Sequence, residues 1–130
     1  MIKSDPQHLI LVDISDSIDE PKFKLYCETK ILFDFRGKEY EVIIPAGFVT
    51  NFASVPKKFR NVISNVSKLN VAYLLHDWLY STLSKEEFTK SDSDVMLRRN
   101  LNYLGLGYID QWIVYFSVKF GAKKNYKTSV

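Results

Sequence analysis

Two ionisable residues stand back to back in the most apolar helix-length stretch of the chain. Val71 to Leu83 reads VAYLLHDWLYSTL, with His76 and Asp77 near its middle. A helix that is hydrophobic on nearly every side is a central, buried one. An imidazole and a carboxylate are costly there unless both find partners. Neighbouring residues on a helix diverge by about 100°, so the two do not pair with each other and each must reach a different group. On a helical wheel His76 lies with Ala72, Leu75, Leu79 and Leu83, and Tyr80 sits one turn beyond it, within touching range. Asp77 points elsewhere, beside Tyr73, Leu74 and Ser81. An imidazole and a carboxylate so placed could do acid–base or metal-ligand chemistry. The plainer alternative is a core histidine bonded to a backbone carbonyl, with Asp77 capping a neighbouring loop.

Two further groups carry polar side chains. The segment Phe48 to Pro56, FVTNFASVP, is neither periodic nor strongly polar. Thr50, Asn51 and Ser54 are small hydrogen-bonding residues set among Phe48, Val49, Phe52, Ala53 and Val55. A loop of this composition packs against something, and its polar side chains then need partners inside the protein. Asp94 closes Ser91-Asp92-Ser93-Asp94, where it reads equally as the N3 partner of a Ser91 cap or as a functional carboxylate.

The elements that must position these residues run strands first, then helices. Leu9 to Ile14 and Lys22 to Tyr26 read as short strands, separated by an acidic surface loop, Asp13 to Glu20, that Pro21 closes. Lys30 to Phe35 alternates, with Ile31, Phe33 and Phe35 on one side, and Glu39 to Ile44 alternates with Tyr40, Val42 and Ile44 together. Gly37-Lys38 between them suits a two-residue hairpin turn. Pro45-Ala46-Gly47 ends the hairpin. Lys57 to Lys68 is polar, with room for one helical turn. The central helix follows, with Ser67 or Asn70 as its N-cap. Ser84-Lys85-Glu86-Glu87 matches a capping box, and Ser91 to Asp94 is a second candidate start for a helix bearing Val95, Leu97, Leu101 and Leu104. Gly105 and Gly107 stop that helix. Tyr108 to Phe120 is amphipathic, with Ile109, Trp112, Ile113, Phe116 and Phe120 on one face and Gly121 as its cap. The fold class is therefore α+β: a small antiparallel sheet in the N-terminal half, built on the hairpin 30–44, packed by about three helices in the C-terminal half.

Composition bounds the rest. The 130 residues suit a single domain spanning 1–130, and a chain 46% hydrophobic and 15% aromatic buries a real core rather than staying disordered. The net charge of +3 is too small to argue for nucleic acid. The lysines of the tail, Lys119, Lys123, Lys124 and Lys127, could touch phosphates, but such tails are commonly just solvated. Cys27 is the sole cysteine and forms no intrachain disulfide, which fits a reducing interior. MIKSDPQH lacks the apolar core of a secretory signal. No apolar run approaches the length of about 18 residues that a membrane span needs.

FVTNFASVP, LHDWLY (75–80), Ser93-Asp94 and YFSVKFG (115–121) occur in an order that resembles a phage and prophage family of short proteins. It is catalogued as domain of unknown function thirteen-fifty-three. The family pattern is similar to Phe-x-Thr-Asp-x-Ala-Ser-x-Pro, then Leu-His-Asp-Tyr-Leu-Tyr, a later Ala-Asp helix and a closing Tyr-x-x-Val-Arg-x-Phe-Gly helix. The likeness covers roughly the last two thirds of the chain. It departs at Asn51, where the family usually has aspartate, and more mildly at Trp78 and Lys119. The resemblance implies that Thr50, Asn51, Ser54, His76, Asp77, Tyr80 and Asp94 form a shared polar set. It also implies a phage origin, in the cytoplasm of an infected bacterium or within the virion. It supplies no activity.

A histidine, carboxylates and small hydroxyls gathered from a loop and two helices could bind a metal and activate water. Only His8 and His76 are available as histidines, and catalytic zinc usually takes more than one nitrogen or sulfur ligand. His76, Asp77 and Asp94 as ligands would suit magnesium or manganese better, or a metal-free acid–base pair. Asn51 in place of aspartate weakens any cation site. Ser54 lacks the Gly-x-Ser-x-Gly surroundings of a nucleophilic serine. The leading expectation is a small hydrolase, with His76 as base or ligand and Asp77 and Asp94 as ligands or orienting groups. Thr50, Asn51, Ser54 and Tyr80 would then meet a substrate of cell-wall or nucleotide type. The alternatives are a non-catalytic virion component or host-binding factor, in which the same residues are a structural network, and a small-ligand sequestering protein.

Overall fold

The computed structural model describes residues 2–3, 9–16, 22–51, 68–81, 84 and 88–121. The elements are β1 (Leu11–Asp13), β2 (Phe23–Leu25), β3 (Thr29–Phe35), β4 (Lys38–Ile44), β5 (Val49–Thr50), α1 (Asn70–Tyr80), α2 (Lys90–Tyr103) and α3 (Tyr108–Gly121). This is the α+β arrangement, its strands all antiparallel and in the N-terminal half, its three helices in the C-terminal half.

The strands form two pieces. β3 and β4 pair along their full length, from Thr29 opposite Ile44 to Phe35 opposite Lys38. Their alternation buries Ile31, Phe33, Phe35, Val42 and Ile44, as a half-buried sheet requires. The turn is Arg36-Gly37, one residue earlier than the sequence suggests. Both residues have positive φ, 53° and 77°, the pattern of a type I′ turn. The two turn choices differ by a two-residue slip, and a slip of two keeps every side chain on its face. Alternation therefore cannot choose between them. Contacts around Arg36 favour the observed one: its guanidinium lies over the Phe35 ring and bonds Asp92 on α2 at 2.8 Å.

β1, β2 and β5 make the second piece, in the order β1-β2-β5. β5 lies in the stretch expected to be loop. Its two residues become a strand only because they pair with β2, Thr50 opposite Phe23 and Val49 opposite Lys24. Ile2 ties hairpin to helices: it bridges Phe33, and its N–H donates to Asn100 Oδ1 of α2 at 3.0 Å.

α1 is buried at every residue but Asp77. It starts at Asn70, with Leu69 in the cap position and no side-chain cap. Ser67, the other expected cap, lies outside the described residues. It ends at Tyr80 rather than Leu83, because Ser81 turns extended (ψ 145°). Residues 82–83, the rest of the apolar run, lie outside the described residues.

α2 is capped by neither expected start. Thr89 is the N-cap, its hydroxyl accepting from the Asp92 N–H while the Asp92 carboxylate accepts from the Thr89 N–H. This capping box leaves Asp94 free of any capping duty. Residues 85–87 of the other candidate box, and residues 57–67 with their expected helical turn, lie outside the described residues. The C-terminus closes on Gly105 (φ 96°), with Leu106 N–H donating to Leu101 O and Gly105 N–H to Asn102 O, a Schellman closure. Gly105→Ala is expected to cost about 1–2 kcal/mol, read as a lower urea midpoint at unchanged slope.

α3 packs through the side opposite its larger apolar face. Its buried side is Gln111, Val114 and Val118, which rest against α2. The face of Ile109, Trp112, Ile113, Phe116 and Phe120 points away from the core, with Ile109 and Phe120 each 73% exposed. The helix is apolar on both sides, so periodicity alone cannot say which side packs. Gln111 decides it: its amide donates to Asn102 Oδ1 at 2.9 Å and accepts from Arg98 at 3.0 Å. Among the described residues no helix is long and apolar enough to cross a membrane.

Candidate functional site

α1 and α2 pack together so that a carboxylate of one meets the histidine of the other. His76 Nε2 lies 2.9 Å from Asp94 Oδ1, and both side chains are buried, 2% and 3% exposed. Tyr80, one turn beyond His76, donates its hydroxyl to the same Oδ1 at 2.5 Å, its ring 4.2 Å from the imidazole. The other carboxylate oxygen, Oδ2, accepts from Lys90 Nζ at 2.6 Å. That ammonium also donates to the carbonyls of Val118 and Lys119 at 3.1 and 3.3 Å. Lys90 thereby joins α2 to the end of α3, where the last carbonyls of a helix have no partner of their own.

Burial pushes the Asp94 carboxyl up, but hydrogen bonds from His76, Lys90 and Tyr80 outweigh it and hold the group below the ordinary 3.8. An ionised Asp94 takes the Nε2 proton as a hydrogen bond and so fixes the tautomer in which Nδ1 carries the lone pair. Among the described residues His76 Nδ1 has no hydrogen-bond partner, although it is buried. Its nearest acidic atom is Asp77 Oδ1, at 4.0 Å. Asp77 in turn receives the Thr50 hydroxyl on Oδ2, which fastens β5 to α1. The neighbouring ring contact of Phe48 on Trp78, at 5.2 Å, seals the same junction.

The residues named from sequence thus divide. His76, Tyr80 and Asp94 form one cluster, and Thr50 with Asp77 a second beside it. Asn51 is exposed. Ser54 and His8 lie outside the described residues. Lys90 was missed, though it stands four residues before Asp94 on the same helix, the spacing at which opposite charges meet. A cavity of about 330 Å³ adjoins the cluster, lined by Lys90, Ser91, Asp94, Tyr115, Lys119 and Phe120.

A family model described as protein of unknown function, DUF1353, matches residues 29–118. The chain belongs to that family. The matched span runs from β3 to near the end of α3, so it takes in every residue of both clusters. No curated protein and no solved structure matches the chain.

In the DUF1353 cluster the oxygens of Asp94 are already committed to His76, Tyr80 and Lys90. Among the described residues no three of His, Cys, Asp and Glu converge as a metal site would need. Both oxygens of Asp94 are occupied, and the place of a cation on Oδ2 is filled by the Lys90 ammonium.

Proposed function

We propose that this DUF1353 protein is a small hydrolase working by metal-free acid–base chemistry at His76. The observation that carries the reading is the unpartnered Nδ1. Leaving a buried acceptor unsatisfied costs about 1–3 kcal/mol, so an imidazole kept in that state invites a use for the free lone pair. In this reading Nδ1 takes a proton from water as the oxygen attacks the substrate. The resulting imidazolium is stabilised through Nε2–H by Asp94, itself held ionised by Lys90 and Tyr80. His76 then returns the proton to the leaving group. Asp94, Lys90 and Tyr80 are positioning residues, and Asp77 orients the water or the imidazole. Thr50, Asn51 and Ser54 supply substrate contacts. A cell-wall or nucleotide ester or amide is the substrate class, and an infected bacterium or a virion the setting, both by the family's phage resemblance.

His76→Gln tests this cleanly. The glutamine amide can still donate to Asp94, while the base is lost. Hydrolysis of peptidoglycan and of nucleotide esters should fall 10²–10⁴-fold, with the melting temperature nearly unchanged. Equal turnover in variant and wild type would end the catalytic reading.

A second reading is favoured by the depth of burial of His76 and Asp94. Here the network holds β5 and α1 against α2 in a non-catalytic virion or host-binding protein. His76→Gln would then change neither turnover nor fold, whereas His76→Ala would lower stability alone.

A further inference from the structure

Three arginines share one cavity where the turn between β3 and β4 meets the carboxyl half of α2. Its volume is about 290 Å³, and Arg36, Arg98, Arg99 and Asn102 are among the residues that line it. Like charges crowd together at a cost, so the grouping needs a countercharge. Arg36 has one in Asp92, at 2.8 Å. Among the described residues Arg98 and Arg99 pair with no carboxylate; Arg98 bonds only the neutral Gln111. Asp34, the one carboxylate on the wall, closes no ion pair with any of the three among the described residues and is engaged by other groups.

The guanidiniums are held rather than loose. Arg36 and Arg99 both lie against the Phe35 ring, at 4.7 and 5.8 Å. Arg98 lies over the Trp112 ring at 4.4 Å and donates to Gln111 Oε1 at 3.0 Å. Neighbours on a helix diverge by about 100°, so Arg98 flanks the cavity on the α3 side and Arg99 on the hairpin side. Gln111 also donates to Asn102 Oδ1 at 2.9 Å, which leaves the Asn102 amide nitrogen as a further donor.

We infer that this cavity binds a phosphate oxyanion, free or borne by a small molecule. A guanidinium carries five donors in a planar fork, and the fork takes phosphate oxygens two at a time. Three forks anchored on a turn and two sides of a helix suit a tetrahedral group with three free oxygens. A planar carboxylate offers one edge, which a single fork satisfies. Size argues for a small ligand, since the cavity sits at the lower end of the range of about 300–1,000 Å³ for small-molecule pockets. A nucleic-acid backbone would need a basic stripe running on past the cavity, and a net charge of +3 leaves little for one. The site does not depend on the chemistry at His76.

Calorimetric titration of the full chain with inorganic phosphate and with ribose 5-phosphate, at fixed ionic strength, tests this. Saturable binding is expected, together with a melting temperature that rises with ligand. Arg99 has no other polar partner among the described residues, so Arg99→Gln should leave circular dichroism and ligand-free melting unchanged. Its affinity for phosphate should fall about 10- to 100-fold, the loss of a charged hydrogen-bonding group. Lys38→Gln removes the same charge from the same hairpin end, but Lys38 leans on the Tyr40 ring at 5.3 Å and does not line the cavity. Its affinity should stay within about twofold of wild type, as for surface changes. Succinate should bind at least about tenfold more weakly than phosphate. Tighter binding of ribose 5-phosphate than of inorganic phosphate would identify an organic phosphate as the ligand, and equal binding the free ion; either upholds the site. Absence of both heat and thermal shift up to about 10 mM phosphate, millimolar binding being the weak limit of recognition, overturns the proposal. So does equal weakening by Arg99→Gln and Lys38→Gln, or equal affinity for succinate. A single-stranded oligonucleotide whose affinity grows with length and falls equally in both variants would overturn it in favour of a nucleic-acid surface.

Discussion

Asp94→Ala is expected to lower unfolding free energy by about 3–5 kcal/mol, the cost of removing one member of a buried charged network. Three donors lose their acceptor at once: His76 Nε2, the Tyr80 hydroxyl and the Lys90 ammonium. Lys90 keeps the Val118 and Lys119 carbonyls, but the buried Nε2–H of His76 loses its acceptor. Asp94→Asn keeps the shape and loses the charge, so it should fall between wild type and alanine. The pH dependence separates charge from shape. The folded Asp94 titrates below its unfolded value of 3.8. Its contribution is therefore complete above that value and is lost as pH falls through the folded one. Urea midpoints of the wild type should drop on acidification below about pH 4, and Asp94→Asn should drop less. Asp13 and Asp34, also held low, remain in both proteins and cancel. A loss under 1 kcal/mol for Asp94→Ala, or parallel acid limbs, would show the network to be slack.

Phe33→Ala should cost a similar 3–5 kcal/mol, the range for truncating a fully buried aromatic. Phe33 has no exposed surface. Its ring stacks on Tyr40 at 5.5 Å and meets Phe88, ahead of α2, at 6.1 Å. It also bridges Ile2, which reaches α2 through Asn100. The residue thus joins hairpin, amino-terminal segment and helices, and a cavity there cannot collapse by moving one side chain. Ile43 on β4 is the control. It lies on the opposite face, 48% exposed, and Ile43→Ala should stay within about 0.5 kcal/mol as surface changes do. Comparable losses from both would mean that the hairpin buries its two faces alike, against the alternation.

That contrast also marks what was legible. Period-two alternation fixed which hairpin residues face inward, because burying one side of a strand leaves no other choice. It could not fix the register, since a slip of two preserves the pattern. The unbroken apolar character of Val71–Tyr80 marked a central helix, and its two ionisable residues marked the place where partners must come from elsewhere. The separation of His76 and Asp77 onto different partners follows from helix geometry alone.

The partners themselves were another matter. Asp94 read equally as a cap or as a site residue, and only the capping box of Thr89 with Asp92 removes the first role. Lys90 carried an i,i+4 signal that has meaning only once Asp94 is known to be buried. Thr50 became a strand residue through pairing with β2, a contact 27 positions back in the chain from Thr50 to Phe23.

By itself, then, the sequence determined the class of fold, the inward face of the hairpin, the central helix and the family. Each of these rests on local periodicity or on a run of neighbouring residues. The tertiary structure decided the hairpin register, the meeting of His76 with Asp94, the bare second nitrogen, and which side of α3 packs. Those are choices between arrangements of equal local merit, and a chain can make them only when distant segments compete for the same buried space.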